Sequence, residues 1–539
     1  MMALFLEIHE VIKMKHSKKI LALVLIFSLL QCSPTSAKQA PPSDKPIAVC
    51  TNGKFIGKRV GDVFKWLGVP YAKPPLGAAR WKAPTLPENS KGEFKAQDYA
   101  KMPLQAWQPF ANTTEDCLRL NVYTGSDGGK GKPVIVILAP SAFCYGGACL
   151  PYLDATSLVE IHPEIVIVCL DTRLGVMASL PLGNVPGAEE ASDSTILWLL
   201  DTRTALQWVK QNIKSFGGDP NNITLLGVSA GATTASLMPI LPGTRGLFHK
   251  IILESGNPAI VAASEERARV TEKLMALTNS TNMENLLTLS EEELSSVMPE
   301  LDKIACFELL GSLATPQEVY DKYGAGVARG IPMLIGTTRD ECAYFKAVKG
   351  TSEKASEKEL QEKYKATLKR LPAKMQKVAS QYISRQKKSA HENFFTDTIF
   401  RAPALLLAQN QAPNAPTYLY RIDFTARARA KAHHVSELAY LLDTNSKERN
   451  EKGDSFARTI QEMWINFAKK GIPSTDYYRW PQYTKGEMLV FGSDGAISVT
   501  DATKDKTNKL LSPLLPYTYI MAEEYFKFNE ETYKRIFGK

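Results

Sequence analysis

The stretch FGGDPNNITLLGVSAGA, residues 216–232, decides how this chain folds. Its middle part, NITLLGV, is a short and mainly apolar run with the length of a buried β-strand. The segment GVSAG follows, and the next residues, ATTASLMP, predict the start of a helix. The order strand, GxSxG, helix is typical of a sharp turn that exposes a serine hydroxyl at the end of a sheet. We therefore predict that Ser229 is a nucleophile; the alternative is a glycine-rich turn with an incidental serine.

The residues beside Ser229 fit the same turn. Gly227 and Gly231 are expected where the helix passes so close to the strand that larger side chains would clash. The backbone N–H of Ala230 opens the helix, and it can therefore face an oxyanion that develops on a carbonyl substrate.

Other apolar runs predict further strands of the same sheet. These runs are residues 118–124, 132–139, 164–172, 249–256, 331–338 and 417–424. Two of them, 132–139 and 164–172, are continuously apolar, as expected of parallel strands that are buried on both faces. Strands that alternate with helical patterns, as at residues 193–215 and 456–471, predict an α/β fold with a mostly parallel central sheet and helices on both faces.

The remaining segments predict additions to this sheet. Short alternating segments at 50–66 predict edge strands, residues 68–84 a proline-rich loop, and residues 488–500 a terminal hairpin. Polar-faced helical stretches at 260–320 and 352–388 predict helical insertions.

The N-terminus predicts export. The eleven-residue apolar run 20–30 follows four lysines and is too short to span a bilayer. Thr35-Ser36-Ala37 offers a cleavage site, whereas Cys32 offers a less typical site for a lipid anchor. We predict a signal peptide at 1–37, a disordered leader at 38–47, one domain at 48–539, and a periplasmic or secreted protein without a transmembrane helix after cleavage.

Charge and cysteine content limit the other functions. The net charge of +9 is spread over 539 residues among many acids, and no nucleic-acid-binding motif is present, so we predict no nucleic-acid partner.

Of eight cysteines, Cys169 lies in an apolar run and is expected to be a buried thiol. Cys144 and Cys149 are close enough in sequence to close a small disulfide loop, and the spacing leaves the other pairings open.

A serine nucleophile needs an imidazole base and a carboxylate that orients it. After a turn of this kind the chain order is Ser, acid, His. Downstream of Ser229, the candidate bases are His391, His433 and His434, since His249 opens a strand and is expected to be structural. The candidate acids are Asp340 and Glu341, which follow the strand at 331–338.

Several segments resemble the type B carboxylesterases, the group that includes cholinesterases, bile-salt lipases and bacterial para-nitrobenzyl esterases. The serine stretch and EDCLRLNVY (115–123) match the two family signatures. Shorter landmarks occur in family order: GVPYAKPPLGAARW, LDTRLG, GTTRDE, HHVSEL, WINFAKKGIP and WPQY. The resemblance covers about residues 48–490 and implies an α/β-hydrolase fold and a serine esterase that needs no metal or organic cofactor. Its partner is then a small-molecule or lipid ester.

The resemblance also implies roles for single residues. It places the nucleophile at Ser229 and the acid at Glu341. It selects His434 over His433 as the base, because the family histidine lies three residues before a Glu followed by Leu or Ile. It further implies two structural ion pairs, Arg80 with Glu115 and Arg173 with Asp201.

This chain departs from the family pattern at the oxyanion loop, which we define as residues 139–143. The family usually has an HGGG-type loop there, whereas this chain has Ala-Pro-Ser-Ala-Phe. Pro140 has no N–H, so the predicted oxyanion donors are the N–H groups of Ser141, Ala142 and Ala230.

Other departures affect neighbouring positions. Val228 replaces the usual Glu, Cys342 and Val435 replace glycines, and Met102 replaces the cysteine that normally pairs with Cys117.

The altered loop leaves two alternatives to an ordinary esterase. One is a catalytically weakened or inactive binding or adhesion protein on the same scaffold. The other is a hydrolase of narrow specificity in which a Cys144–Cys149 disulfide holds a rebuilt loop.

Overall fold

The computed structural model describes residues 45–106, 113–261, 265–302, 313–343, 353–426 and 431–527. The predicted signal peptide, Cys32 and most of the predicted leader lie outside these ranges, so the predictions on export stay predictions. The division into one domain at 48–539 stays a prediction as well. The first strand begins at Ile47, one residue before the boundary that we expected.

The strands of the described part are short at the N-terminal end and longer in the centre. They are β1 Ile47–Cys50, β2 Gly53–Ile56, β3 Lys58–Val60, β4 Val63–Pro70, β5 Glu93–Lys95, β6 Met102–Pro103, β7 Thr113–Thr114, β8 Arg119–Gly125, β9 Lys132–Leu138, β10 Val166–Leu170, β11 Gly218–Val228, β12 Lys250–Glu254, β13 Met333–Thr338, β14 Thr417–Ile422, β15 Glu487–Phe491 and β16 Ile497–Asp501.

The helices lie mainly between the strands of the second half. They are α1 Thr156–Ile161, α2 Leu197–Asn212, α3 Ala230–Leu237, α4 Glu265–Thr278, α5 Met283–Thr288, α6 Glu291–Asp302, α7 Pro316–Gly324, α8 Glu353–Arg370, α9 Ala373–Arg385, α10 Ala390–Phe395, α11 Ala402–Gln411, α12 Ser436–Leu441, α13 Glu451–Lys470, α14 Lys506–Leu511 and α15 Thr518–Phe526. A π-helical segment, Thr396–Arg401, joins α10 to α11.

A mixed eleven-stranded sheet organises the described residues. Its strand order is β16-β15-β14-β13-β12-β11-β9-β10-β8-β4-β3. The block from β15 to β10 is parallel throughout, and antiparallel strands extend it at both ends. Every residue of β10, β12 and β13 is buried. Because successive side chains of a strand point to opposite faces, both faces of the sheet are covered. The predicted α/β architecture is confirmed.

The sequence predicted the kind of element better than its ends. Strand β11 begins at Gly218 rather than at residue 222, with an irregular register against β9 between Gly218 and Ile223. Strand β4 runs on to Pro70, inside the stretch that we expected to be loop. Helix α13 begins at Glu451, five residues early, because Asn450 caps it by accepting from the N–H of Gly453. The terminal hairpin is formed by β15 and β16, as predicted.

The described cysteines for which the sequence raised a prediction are free thiols. Cys169 is buried in β10, and its thiol contacts the carbonyl oxygen of Leu153 at 3.6 Å, so the prediction of a buried thiol is confirmed. Cys117 is a buried free thiol. Cys144 and Cys149 are not joined by a disulfide, so the loop that their spacing allowed is not closed in this structure. Within the described ranges, no helix is long and apolar enough to cross a membrane.

Both ion pairs implied by the resemblance are present and buried. Arg80 and Glu115 approach to 2.5 Å, and Arg173 and Asp201 approach to 2.6 Å. The guanidinium of Arg173 binds both carboxylate oxygens of Asp201 and also donates to the carbonyl oxygen of Lys82. Asp201 further accepts the backbone N–H of Arg173. The pair therefore fixes the segment after β10 to helix α2.

We expect Asp201→Ala to lower the free energy of unfolding by about 3–5 kcal/mol, because it leaves a buried guanidinium without its counter-charge. Urea unfolding followed by circular dichroism measures the change. Asp62→Ala is the matched control, since Asp62 forms an exposed pair with Arg59 and such pairs contribute at most about 1 kcal/mol. Equal effects of the two substitutions would contradict the structural role of the Arg173–Asp201 pair.

Candidate active site

Ser229 lies between the end of β11 and the start of α3, in the turn predicted from the sequence. Its backbone is strained, with φ 57° and ψ −119°, and its N–H donates to the carbonyl oxygen of Glu254 at 2.8 Å. The two flanking glycines permit this turn. A Cβ at Gly227 would lie 2.2 Å from the carbonyl oxygen of Gly231, and one at Gly231 would lie 2.0 Å from that of Leu138. Any larger residue would push α3 away from the sheet.

The structure brings Ser229, His434 and Glu341 together in one hydrogen-bonded chain. Ser229 Oγ lies 2.7 Å from His434 Nε2, and His434 Nδ1 lies 2.6 Å from Glu341 Oε2. His434 is 7% exposed and Glu341 is 1% exposed. With Nδ1 donating its proton to Glu341, Nε2 is left as the acceptor for the hydroxyl of Ser229. This arrangement can activate a serine as a nucleophile.

Two neighbouring parallel strands position the acid and the imidazole. Glu341 follows β13 and His434 follows β14, so both lie at the carboxyl edge of the sheet, as does Ser229 after β11. The two loops are bonded to each other. Asp340 N–H donates to the carbonyl oxygen of Ala432 at 2.9 Å, and Ala432 N–H donates to Asp340 Oδ2 at 3.2 Å. Asp340 thus holds the loop that carries His434.

The other predicted candidates have different contacts. His391 lies at the start of α10, where its Nδ1 lies 2.6 Å from a carboxylate oxygen of Glu357. The Nδ1 of His433 contacts the backbone oxygen of His434, and burial lowers the pKa of His433. Asp340 pairs with Arg339. Of the neighbouring histidines, His434 is the one whose side chain contacts Ser229, and of the neighbouring acids, Glu341 is the one that contacts His434.

Residues that the sequence analysis did not single out surround Glu341. Glu341 Oε1 accepts from the hydroxyl of Ser255 and from the backbone N–H of Thr338, both at 2.7 Å. Ser255 directly follows β12 and has a φ of 53°. Its position at the carboxyl end of the predicted strand 249–256 was the available signal. These two donors fix the carboxylate so that its second oxygen faces His434.

Two more glutamates, Glu254 and Glu437, lie fully buried near Glu341. Glu254 accepts from the indole N–H of Trp464 at 2.6 Å, and Glu437 lies 3.4 Å from the hydroxyl of Ser255. Burial raises the pKa of both carboxyls, and for Glu437 the charges of Glu254 and Glu341 raise it further. Both carboxyls therefore keep their protons to a higher pH than an exposed glutamate does.

Phe400 forms one wall beside the imidazole. Its ring centroid lies 4.8 Å from that of His434 at an interplanar angle of 46°. Phe400 belongs to the π-helical segment Thr396–Arg401, whose Thr396 hydroxyl accepts the N–H of Cys342. Because π-helical turns are rare and occur often at functional sites, this segment adds to the case for an active site here.

Besides Ser229 and Ser255, three non-glycine residues near the site have a positive φ. They are Ala142 with φ 46°, Phe143 with φ 62° and Val435 with φ 57°. All three stand where the sequence analysis noted that glycines are replaced. A left-handed conformation costs a non-glycine residue about 1–2 kcal/mol, and a β-branched residue such as Val435 adopts it rarely. The surrounding structure therefore holds both loops in conformations that these residues do not favour.

The contacts of the oxyanion loop show what holds it. The carbonyl oxygen of Phe143 accepts the N–H of Gly175 at 2.8 Å. The ring centroid of Phe143 lies 5.5 Å from that of Trp198 in an edge-on contact. The carbonyl oxygen of Ser141 accepts the N–H groups of Cys144 and Tyr145. Within the described part of the chain, no acceptor takes the N–H of Ser141 or Ala142. Ala230 is the first residue of α3, where an N–H has no acceptor in its own helix.

Over the ranges that the structure describes, no group of three or more His, Cys, Asp or Glu side chains is arranged to hold a metal ion.

Comparison with known proteins assigns the chain to a family. The model of the carboxylesterase family matches residues 44–510. A para-nitrobenzyl esterase of Bacillus subtilis is 34% identical over 487 residues, which cover 85% of this chain and 97% of that protein. A human cocaine esterase is 26% identical, with 84% of this chain and 88% of that protein covered.

Solved structures agree with this match. A PNB esterase structure superposes with a TM-score of 0.74 at 30% identity, covering 86% of this chain and 99% of the other. A Geobacillus stearothermophilus carboxylesterase gives a TM-score of 0.76 at 28% identity, with 86% and 99% covered. The chain therefore belongs to the type B carboxylesterase family, whose other members found here are carboxylic ester hydrolases.

Proposed function

We propose that this protein is a serine esterase that hydrolyses carboxylic esters through an acyl-enzyme intermediate. The observation that carries the proposal is the continuous chain of short contacts from Ser229 through His434 to Glu341. A neutral imidazole that lies within hydrogen-bond distance of a serine and is oriented by a carboxylate is the arrangement that nucleophilic catalysis by serine requires.

In the first half of the reaction, Ser229 Oγ attacks the ester carbonyl carbon while its proton passes to His434 Nε2. Glu341 orients the imidazole and stabilises its positive form. The N–H groups of Ala230, Ala142 and Ser141 bind the oxyanion of the tetrahedral intermediate. His434 then protonates the alcohol oxygen, the bond between the acyl carbon and that oxygen breaks, and the alcohol leaves.

In the second half, water replaces the alcohol. His434 takes a proton from the water as the water oxygen attacks the acyl carbon, and the same donors bind the second oxyanion. Collapse of this intermediate breaks the bond to Ser229 Oγ, and His434 returns its proton to that oxygen. The products are an alcohol and a carboxylic acid. The Bacillus relative is named for para-nitrobenzyl esters, so such an ester is a suitable first assay substrate.

Labelling with a fluorophosphonate probe tests the proposal. We expect one covalent adduct per chain on Ser229, located by peptide mass spectrometry, because the probe reacts with a serine that an adjacent imidazole activates. Ser229→Ala is expected to take up no probe. Ser236→Ala is the matched control, since Ser236 is a buried serine of the same helix whose hydroxyl donates to the carbonyl oxygen of Thr233.

The outcome separates the esterase from its alternative. A folded wild-type chain that forms no adduct near neutral pH would favour the binding or adhesion protein on the same scaffold. An adduct that persists in Ser229→Ala would assign the nucleophile to another serine.

We also propose that the protein is exported. The proposal rests on the apolar run 20–30 and the lysines before it. Mass spectrometry of the protein purified from its own host is expected to show a chain that begins at residue 38. A lipid on Cys32 would support the anchored alternative, and an intact N-terminus would contradict export.

A further inference from the structure

A cavity of about 50 Å³ lies beside the oxyanion loop, and the proposed mechanism does not use it. Its walls include Ser141 and Phe143 of the loop, Gly231 and Thr234 of helix α3, and Asp171 at the end of β10. Ser229 is not one of the lining residues, so the cavity is separate from the nucleophile. We call it the Asp171 cavity.

Asp171 is a buried carboxyl with unused bonding capacity. It is 7% exposed, and its Oδ1 accepts the N–H of Ala148 at 2.7 Å. Its second oxygen, Oδ2, has no hydrogen-bond partner among the residues that the structure describes. Asp171 Oδ2 can therefore bind a group with positive charge or hydrogen-bond donors that enters the cavity.

Three polar side chains of the wall are bound elsewhere, and the hydroxyl-bearing residues Ser141, Tyr145 and Thr172 also line the cavity. Arg173 is bound to Asp201 and to the carbonyl oxygen of Lys82. The hydroxyl of Thr202 donates to the carbonyl oxygen of Trp198, and that of Thr234 donates to the carbonyl oxygen of Ala230. The two threonine oxygens keep lone pairs that can accept a hydrogen bond or coordinate a cation. The Asp171 cavity therefore presents one negative charge and several neutral oxygen ligands.

We propose that the Asp171 cavity binds a monovalent cation of the size of K⁺ or NH₄⁺. Oxygen ligands with a single carboxylate suit such an ion, whereas Mg²⁺ and Ca²⁺ usually need more charged ligands or a fixed set of six or more oxygens. A buried water occupies about 10–15 Å³ of comparable volume, so the cavity has room for one small cation with one or two waters. Choline, a bulky quaternary ammonium ion without N–H donors, is the reference cation against which binding is compared.

The position of the site connects it to the oxyanion loop. Ala148, whose N–H donates to Asp171, lies a few residues after the oxyanion loop. The carbonyl oxygen of Ala148 accepts from the side-chain amide of Asn121. A cation bound to Asp171 Oδ2 neutralises the carboxylate without removing the bond from Ala148. The ion therefore stabilises the folded chain, and through Ser141 it contacts the loop that carries two of the proposed oxyanion donors.

Protons compete with the cation for Asp171. Burial raises the pKa of this carboxyl to about 7, so the charged form dominates above that pH. The other titratable groups that interact with its charge are Tyr71, Cys117, Cys149, Tyr152 and Cys169. Burial raises the pKa of each of them, so they remain neutral at pH 8, and Arg173 is neutralised by Asp201. Cation binding is thus expected at pH 8 and should weaken toward pH 6.

The test compares Tm in KCl, NH₄Cl and choline chloride at equal ionic strength and pH 8. Because a ligand that binds only the folded state raises its stability, we expect KCl or NH₄Cl to raise Tm by about 2 °C relative to choline chloride, with saturation. A rise with only one of the two salts identifies the ion. In Asp171→Asn, which keeps an oxygen for Ala148, Tm is expected to be the same in all three salts.

Two further variants make the test specific. Thr202→Val removes one ligand oxygen with little change of shape and is expected to raise the half-saturating cation concentration by about tenfold. Asp116→Asn is the control, because Asp116 pairs with Arg119 outside the cavity, and it should respond like the wild type. Equal Tm values of the wild type in all three salts, or an undiminished cation response in Asp171→Asn, would overturn the proposal.

Discussion

Replacement of His434 with alanine is expected to lower kcat for ester hydrolysis by about 10⁴- to 10⁶-fold. Without the imidazole, the hydroxyl of Ser229 keeps its proton during attack, and the alcohol leaves without a proton donor. The loss should fall on kcat more than on KM, because the imidazole acts in the transition state rather than in binding of the ester. Steady-state kinetics with a chromogenic ester measure both constants.

His433→Ala is a sharp control because it changes the neighbouring histidine. His433 contacts the backbone oxygen of His434 and has no contact with Ser229 within the described residues. We expect kcat of this variant to fall by less than about tenfold, since the base and its orienting carboxylate remain. If His433→Ala were the inactive variant and His434→Ala retained activity, the proposed base would be wrong.

Glu341→Gln is expected to lower kcat by about 10⁴-fold without unfolding the protein. The amide oxygen of glutamine can still accept from Ser255 and Thr338. Its NH₂ group would then face His434 Nδ1, which must become an acceptor. The imidazole is forced into the tautomer with a proton on Nε2, and this tautomer cannot take the proton of Ser229.

Asp340→Asn is the matched control for Glu341→Gln. Its side-chain oxygen can still accept the N–H of Ala432, so the loop before His434 is expected to hold, and kcat should change by less than about tenfold. Measurement of kcat together with Tm separates loss of chemistry from loss of folding. An inactive Asp340→Asn with an active Glu341→Gln would assign the acid to Asp340.

Much of the site could be predicted because its parts follow recognisable strands. Ser229 stands in a turn whose local sequence determines its geometry, and the fixed order Ser, acid, His directs the search downstream. The residues alone could not separate Glu341 from Asp340, or His434 from His433. Adjacent side chains point in different directions, and their direction depends on contacts such as that between the loops of Asp340 and Ala432.

The cluster behind Glu341 was missed for a different reason. Ser255 and Glu437 lie 182 positions apart in sequence, and only the tertiary fold brings the residue after β12 and the start of α12 within hydrogen-bond distance. No local pattern encodes such a contact. The same is true of Asp171, whose environment depends on a loop, a strand and two helices that meet around one cavity.

At the oxyanion loop, the residue types alone gave a wrong expectation of the backbone conformation. Replacement of glycines suggested a different backbone, yet Ala142 and Phe143 adopt left-handed conformations that glycine adopts without strain. The contacts from Gly175 to Phe143 and from Tyr145 to Ser141 supply the stabilisation that residue preference does not. Tertiary structure therefore overrides local preference at this loop.

The π-helical segment Thr396–Arg401 bears on how the site can change over evolution. From Ala390 to Gln411 the chain is helical without a break, and Phe400 is presented to His434 from inside the wide turns. In an α-helix each residue advances the direction of the side chains by 100°. Deletion of one residue before Phe400 would turn the aromatic ring away from the imidazole, while the strands and the triad remained in place. Single-residue insertions and deletions before Phe400 are thus changes that can redirect this wall of the site.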